Sequence, residues 1–214
     1  MIKNILFDFD GVLLESVNAK AEAFRKLYLS YGEDIANKVV EYHLANGGVS
    51  RFEKIKYWHK HYLGIDLSQD EVNELADQFS ELVMQNVINS QEVEGASPFL
   101  EKHYHDFQFW VISATPTAEI RKILDEKKWS KFFKQAYGSP ESKTYWATKV
   151  VHDNGLDNNE TIFIGDATTD YEAASRAGIS FILRRTSENN KVFKDYKGYS
   201  IKNITELEPV LNDL

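Results

Sequence analysis

From Phe107 onward, short apolar runs alternate with amphipathic stretches of about ten residues, and this alternation restricts the chain to very few architectures. Phe107-Gln-Phe-Trp-Val-Ile112 reads as a strand, Pro116 to Asp125 as a helix and Phe132 to Tyr137 as a strand. Thr144 to His152 reads as a helix, Thr161 to Ile164 as a strand, Asp170 to Ala177 as a helix and Ile179 to Leu183 as a strand. Tyr199-Ser-Ile201 is a last short strand before a helix from Thr205. Strands and helices of this size, in strict alternation, predict a parallel sheet covered by crossover helices.

Residues 2 to 9 form one more buried strand, ending in acid, but the chain beyond it turns helical. Ala23, Leu27 and Tyr31 recur at four-residue spacing, as do Val40 and Leu44, in a stretch from Ser16 to Leu63 broken at Asn46-Gly47-Gly48. A helix starts near Ser50 and carries Phe52, Ile55 and Trp58. Ser68-Gln-Asp-Glu71 has the form of a capping box and opens another, with Leu75, Phe79, Leu82 and Val83 on its apolar face. The expected fold is therefore α/β: a doubly wound, Rossmann-like parallel sheet core with an all-helical cap domain inserted after strand one. Residues 1–15 and 95–214 are expected to form the core and 16–94 the cap, an arrangement that 214 residues accommodate. Most of the large rings Tyr42, Phe52, Tyr57, Trp58 and Tyr62 read as cap core, and His43, His59 and His61 as helix-surface residues. Arg184 to Tyr196, polar and charged, reads as a solvated loop.

A formal net charge of -8 argues against a nucleic-acid binder, which needs a basic face, but leaves room for a few cations around an anionic ligand. The absence of cysteine removes disulfides and thiolate metal sites. Lys3 and Asn4 interrupt the first apolar run, so it does not read as a signal peptide, and no stretch has the length of a membrane span. A cytoplasmic protein with a small-molecule partner is expected, without nucleic acid or membrane as partners. The oligomeric state is left open.

The strands deliver polar residues at their C-terminal ends, where open α/β sheets bind ligands. Strand one gives Asp8 and Asp10, the next core strand Ser113 and Thr115, and a later one Gly165-Asp166 with Asp170 four residues on. Asp8 and Asp10, two apart, share a strand face, and Gly11 lets the chain turn. Asp8, Asp10 and Asp166 then crowd negative charge that only protons or a cation relieve. Oxygen ligands without His or Cys suit Mg2+. A carboxylate nucleophile suits phosphoryl transfer, and a second carboxylate can protonate the leaving oxygen. Lys143 supplies positive charge, and Ser113 with the Ala114 amide, at a strand end before a helix, supplies phosphate donors.

These segments resemble the haloacid dehalogenase superfamily, over nearly the whole chain. Asp8-Phe-Asp10-Gly11-Val is similar to its first motif, Val111-Ile-Ser113-Ala-Thr to its second, Lys143 to its third and Gly165-Asp166-Ala-Thr-Thr-Asp170 to its fourth. The helical block matches the family's cap, as in its phosphoglycolate phosphatase and β-phosphoglucomutase branch. The resemblance implies Asp8 as nucleophile and Asp10 as general acid/base with its carbonyl on the metal. It implies Asp166 as a further Mg2+ ligand, Asp170 as support for the metal shell directly or through water, and Ser113 and Lys143 on the phosphoryl group. Asp10 argues against the dehalogenase branch and the phosphonate hydrolases, and the ion-pump signature Asp-Lys-Thr-Gly-Thr is absent.

Gly48-Val49-Ser50-Arg51 resembles the segment with which sugar-phosphate mutases grip a second phosphate, although it also reads as an interhelix loop with a solvated arginine. Those mutases carry Thr and His where this chain has Ser16 and Lys20. The expectation is thus an Mg2+-dependent phosphatase of a small phosphorylated metabolite, a sugar phosphate or similar ester, acting through an aspartyl-phosphate. Arg51 and Lys20 are expected to contact the substrate from the cap. A β-phosphoglucomutase-like mutase and a non-catalytic binding protein of the same fold are the alternatives.

Overall fold

The strands owe their position to uninterrupted apolar sequence: Asn4-Ile-Leu-Phe7 and Thr161-Ile-Phe-Ile-Gly165 are buried at every residue, as parallel strands covered on both faces must be. The computed structural model describes all residues, Met1–Leu214. Six parallel strands, β1 (Asn4–Phe7), β2 (Gln108–Pro116), β3 (Phe133–Ser139), β4 (Thr161–Gly165), β5 (Ser180–Arg184) and β6 (Ser200–Ile201), lie in the order β3-β2-β1-β4-β5-β6. Phe7 is paired with Val111 on one side and Ile164 on the other, so β1 and β4 end within a residue of each other while β2 runs on to Pro116.

The two-residue period divides the sheet into two faces. Ile5, Phe7, Phe109, Val111, Ile162 and Ile164 pack with Ile120, Ile123 and Leu124 of α6 (Thr117–Glu126), and with residues of α5 (Ala96–His103) and α9 (Leu207–Asn212). Leu6, Trp110, Ile112, Phe163 and Phe181 pack on the other side with α7 (Lys143–Asp153) and α8 (Thr168–Ala177). The α/β core with a helical block after strand one is thus as expected. The helix α5 is not: its eight residues, Pro98 among them, carry too little periodicity to announce it.

Between β1 and α5 lie α1 (Val17–Tyr28), α2 (Glu33–Ala45), α3 (Arg51–Trp58) and α4 (Gln69–Ile88). The expected break at 46–48 is present, but Gly32, at φ +100°, adds one between α1 and α2 that the apolar spacing conceals. The block has its own core, in which Phe24 stacks on Phe79 at 3.8 Å and meets Trp58 edge-on at 4.9 Å. His43 and His59 are buried there, contrary to expectation: the Tyr28 hydroxyl sits 2.9 Å from His59 Nδ1, which gives that ring a polar partner inside the core. His61 is on the surface as expected.

The chain enters and leaves this block at one place. Glu15 N–H donates to the Gln91 carbonyl and Val93 N–H to that of Leu13, both at 2.9 Å. Beside this seam, Gly48 (φ +75°) passes so near α8 that a Cβ there would lie 1.9 Å from Thr169 Oγ1.

Candidate active site

Asp8 directly follows β1, its N–H still donating to Ile164 at 2.9 Å. The chain then winds into a single helical turn in which the Phe9 carbonyl accepts from Leu13 and Leu14. Gly11 makes this possible: its φ is +78°, and a Cβ would fall 2.3 Å from Asp166 Oδ2. Asp166 follows β4, and Asp170 sits in the first turn of α8, which begins two residues earlier than expected. Lys143 opens α7, whose cap Ser142 accepts from Tyr145 N–H at 3.1 Å.

These elements bring Asp8, Lys143, Asp166 and Asp170 together. Lys143 Nζ lies 2.9 Å from Asp8 Oδ1 and 2.6 Å from Asp170 Oδ1, all three side chains being buried. Asp170 Oδ2 accepts the N–H groups of Asp166 and Ala167, at 3.2 and 3.0 Å, so both of its oxygens have partners inside the protein. The Asp166 carboxylate accepts no hydrogen bond and forms no ion pair. Burial and the repulsion of Asp170 outweigh Lys143 and push Asp8 up to about 7. Burial with Asp8 and Asp170 drives Asp166 well above the carboxylate range. Lys143 is held above its usual range, its desolvation being overcome by Asp170 and Asp8. One oxygen each from Asp8, Asp166 and Asp170 lie within 4.8 Å of one another. An all-oxygen set with excess buried negative charge and one free carboxylate fits a hard divalent cation such as Mg2+.

Asp10 points a different way. Its Oδ1 accepts from Ser16 Oγ at 2.6 Å, and its Oδ2 from Thr115 Oγ1 at 3.0 Å and from Lys20. Despite burial, Lys20 and these hydroxyls draw it down to about 2. Lys20 also reaches Thr115 Oγ1 at 2.7 Å. Lys20, expected to contact substrate, runs from α1 to the Asp10 carboxylate.

Arg51 is not solvated either. At the start of α3 it makes a bidentate pair with Glu119 of α6, at 2.8 and 2.7 Å, with Ser80 as a further partner, and lies 4.7 Å above the Phe79 ring. It clamps the helical block to the core, because the carboxylate that matches its planar fork is on the opposite side. Ser113 and Ala114 are placed beside Asp10, but β2 continues to Pro116 and α6 begins only at Thr117. The helix thus begins one residue later than expected, three residues beyond the Ala114 amide. Ser113 Oγ accepts from Thr115 N–H at 3.0 Å.

A cavity of about 170 Å³ lies between block and core, lined by Asp8, Asp10, Lys20, Arg51, Lys143 and Asp166 among others. Its far wall is the segment expected to be a solvated loop: Asn189 and Phe193 are buried, and the Asn189 amide donates to the Asp166 and Arg184 carbonyls at 2.8 Å. Sequence reasoning passed over Lys54 and put His43 on a helix surface, but both line it. The signal was available for Lys54, which shares the buried stripe of Arg51, Ile55 and Trp58 on α3.

Residues 5–184 match the model of the haloacid dehalogenase-like hydrolase family. A phosphoglycolate phosphatase of Photorhabdus laumondii is 30% identical over 186 residues, covering 83% of this chain and 77% of that protein. One from Pseudomonas savastanoi is 26% identical over 191 residues, covering 84% and 68%. The crystal structure of a β-phosphoglucomutase from Clostridium difficile superposes with a TM-score of 0.79 at 20% identity, covering 99% of this chain and 96% of the other. With the motif residues gathered at one strand-end cavity and a family match over most of its length, this chain belongs to the haloacid dehalogenase-like hydrolases.

Proposed function

We propose that the chain is a Mg2+-dependent phosphatase of a small phosphorylated metabolite, working through an aspartyl-phosphate on Asp8. The observation that carries this reading is the Asp8–Lys143 pair, 2.9 Å long, beside an uncompensated Asp166 and within the cavity that Asp10 also lines. The relatives named as phosphoglycolate phosphatases support the reaction class and bring phosphoglycolate itself into the range of substrates, alongside sugar phosphates. In this reading residues 16–94 act as a specificity cap on a catalytic core of 1–15 and 95–214.

An Asp8 oxygen attacks phosphorus while the bond to the ester oxygen breaks, and Asp10, ionised beside Lys20 in the free protein, relays a proton from Lys20 Nζ to the departing alkoxide. Water then attacks the phosphorus, passes a proton to Asp10 and releases the Asp8 carboxylate. Lys143 stays paired with Asp8 and Asp170 and stabilises charge on the transferring group, while Ser113 and the Ala114 amide take its remaining oxygens. Asp8, Asp166 and the Asp10 carbonyl would hold Mg2+, with Asp170 orienting Lys143 and the Asp166–Ala167 backbone. When bound, the ion neutralises the acidic cluster and withdraws charge from the phosphoryl oxygens. Lys20 holds Asp10 where its partners can reset it after each proton transfer.

Release of inorganic phosphate from sugar phosphates, phosphoglycolate and nucleotides, with Mg2+ and with EDTA, tests the proposal. Metal-dependent release from at least one ester is expected. No release from any ester, combined with interconversion of glucose 1-phosphate and glucose 6-phosphate in the presence of a bisphosphate primer, would replace it with the mutase reading.

A further inference from the structure

Five cationic side chains line the cavity. Lys20 is paired with Asp10, Lys143 with Asp8 and Asp170, and Arg51 with Glu119, while Lys54 has only the His43 ring as hydrogen-bond partner, Nζ to Nδ1 at 3.0 Å. The fifth, Arg184 at the end of β5, is alone among them in gripping main-chain carbonyls. Its Nη1 donates to the Gly11 carbonyl at 2.8 Å and its Nε to that of Lys202 at 3.1 Å, while the fork closes on the Glu15 carboxylate. Four of its five N–H groups thus have acceptors, in a side chain of a residue only 7% exposed.

Asn189 is used as fully. Its Oδ1 accepts the Thr186 N–H at 2.9 Å, and its amide nitrogen holds the carbonyls of Asp166 and Arg184. Two polar side chains of a segment that reads as a solvated loop are therefore buried and spent on main chain, where water would satisfy an ordinary surface loop.

Their acceptors lie in the turns after β1 and β4, which the proposed function gives to Mg2+. Gly11 directly follows the Asp10 carbonyl, and Asp166 carries its own carboxylate. The two turns touch: a Cβ on Gly11 would fall 2.3 Å from Asp166 Oδ2. Gly11, at φ +78° and without a side chain, is the joint about which the Asp10 peptide can swivel, and the hold of Arg184 on its carbonyl restrains that joint. The Asn189–Arg184 bond ties the two grips together. Glu15 neutralises the guanidinium, so no uncompensated positive charge faces a neighbouring cation.

We infer that Arg184 and Asn189 are positioning residues of the metal site, which hold the Asp10 carbonyl and the Asp166 carboxylate at the spacing a divalent cation needs, with Glu15 orienting Arg184. The inference rests on the proposed function for the identity of those ligands. Neither residue supplies a ligand; both act through main-chain carbonyls. Outer partners of this kind carry about 10- to 100-fold in metal affinity.

The test is titration of the substrate-free protein with Mg2+, followed by calorimetry and by the Mg2+-dependent rise in Tm. Asn189→Leu keeps the volume and removes the donors, and Arg184→Met keeps the length and removes the fork. Each should bind Mg2+ about 10- to 100-fold more weakly, with a cooperative thermal melt in EDTA. Phosphate release lost at low Mg2+ should return as Mg2+ is raised, a recovery that a damaged fold does not give. If Arg184→Met does not fold, Arg184→Lys, which keeps the charge but not the fork, takes its place and should still weaken binding by more than about threefold. Mg2+ affinity within about threefold of wild type in either folded variant overturns the inference. A loss of affinity that only accompanies loss of folded protein in EDTA overturns it too. The phosphatase reading is judged separately. A wild type that binds Mg2+ but hydrolyses no ester removes that reading and leaves the positioning role to the same titrations, whereas one that releases phosphate but takes up no Mg2+ removes the positioning role alone.

Discussion

Replacing Lys54 by Met should make the protein more stable, and by an amount that the burial of the ammonium sets. Burial first, then Lys20 and Lys143, lower Lys54 from 10.5 to about 7 against the opposing pull of Asp10 and Glu53. Each tenfold loss of proton affinity is worth about 1.4 kcal/mol, so at pH 7, where the folded group is half charged, the cost to folding is about 4 kcal/mol. Methionine removes it, but leaves His43 Nδ1 without its partner, a loss of about 1–3 kcal/mol. A net gain of about 1–3 kcal/mol remains, or a rise in Tm of about 3–10 °C for a chain of this size. The gain has a definite pH dependence. Between pH 7 and 10.5 the unfolded lysine binds more protons than the folded one, so the wild type recovers stability as pH rises. Urea unfolding of both proteins from pH 6 to pH 9 should show the gap at its widest at pH 6–7 and smaller by about 2 kcal/mol at pH 9. Of the groups facing Lys54 (Lys20 on α1, His43 on α2, Glu53 on α3, Asp10 and Lys143 from the core), all are present in both proteins, but His43 is itself held down in part by Lys54 and is partly released in the variant. A variant less stable than wild type at pH 6–7, or a gap indifferent to pH, would refute the reasoning.

The site and the seam between block and core yield three more expected outcomes. Asp8→Asn should lower phosphate release by at least about 10⁴-fold while circular dichroism and Tm show a folded protein; near wild-type turnover would remove Asp8 as nucleophile. Glu119→Gln leaves the buried Arg51 charge unpaired and should cost about 3 kcal/mol of stability by urea unfolding; a loss below about 1 kcal/mol would mean that the clamp between block and core is not real. Gly48→Ala, strained at φ +75° and driven into Thr169, should destabilise by at least about 1 kcal/mol, and unchanged stability and turnover would contradict the close approach.

The core was legible because its signals are local. Each strand is a short apolar run ending in a polar residue, and the two-residue period that sorts Ile5 and Phe7 from Leu6 needs no tertiary information. The motif carboxylates were legible for the same reason: strand ends in a parallel sheet meet at one edge. The cavity wall was harder. Lys20, Arg51 and Lys54 all sit on helices whose charged residues normally face water, and their partners are 10, 68 and 11 positions away in sequence. Which lysine finds a carboxylate and which is left without one depends on how the block sits on the core, and helical periodicity does not contain that information. The 184–196 segment misled for a related reason: its composition is polar, yet the Asn189 side chain serves as an internal strut for the Asp166 carbonyl.

The pairing of Leu13–Glu15 with Gln91–Val93 gives the helical block a single stem. To the sheet, everything between those two segments is a loop whose ends are already tied together. Its length and contents can therefore change without altering strand order, the Phe9 turn or the lysine at the head of α7. The chain is in effect a fixed reaction chamber with an interchangeable roof. On the proposed function, substitutions on α2 and α3 are the economical route to a new substrate, because they redraw the ceiling of the chamber and leave its floor of aspartates alone.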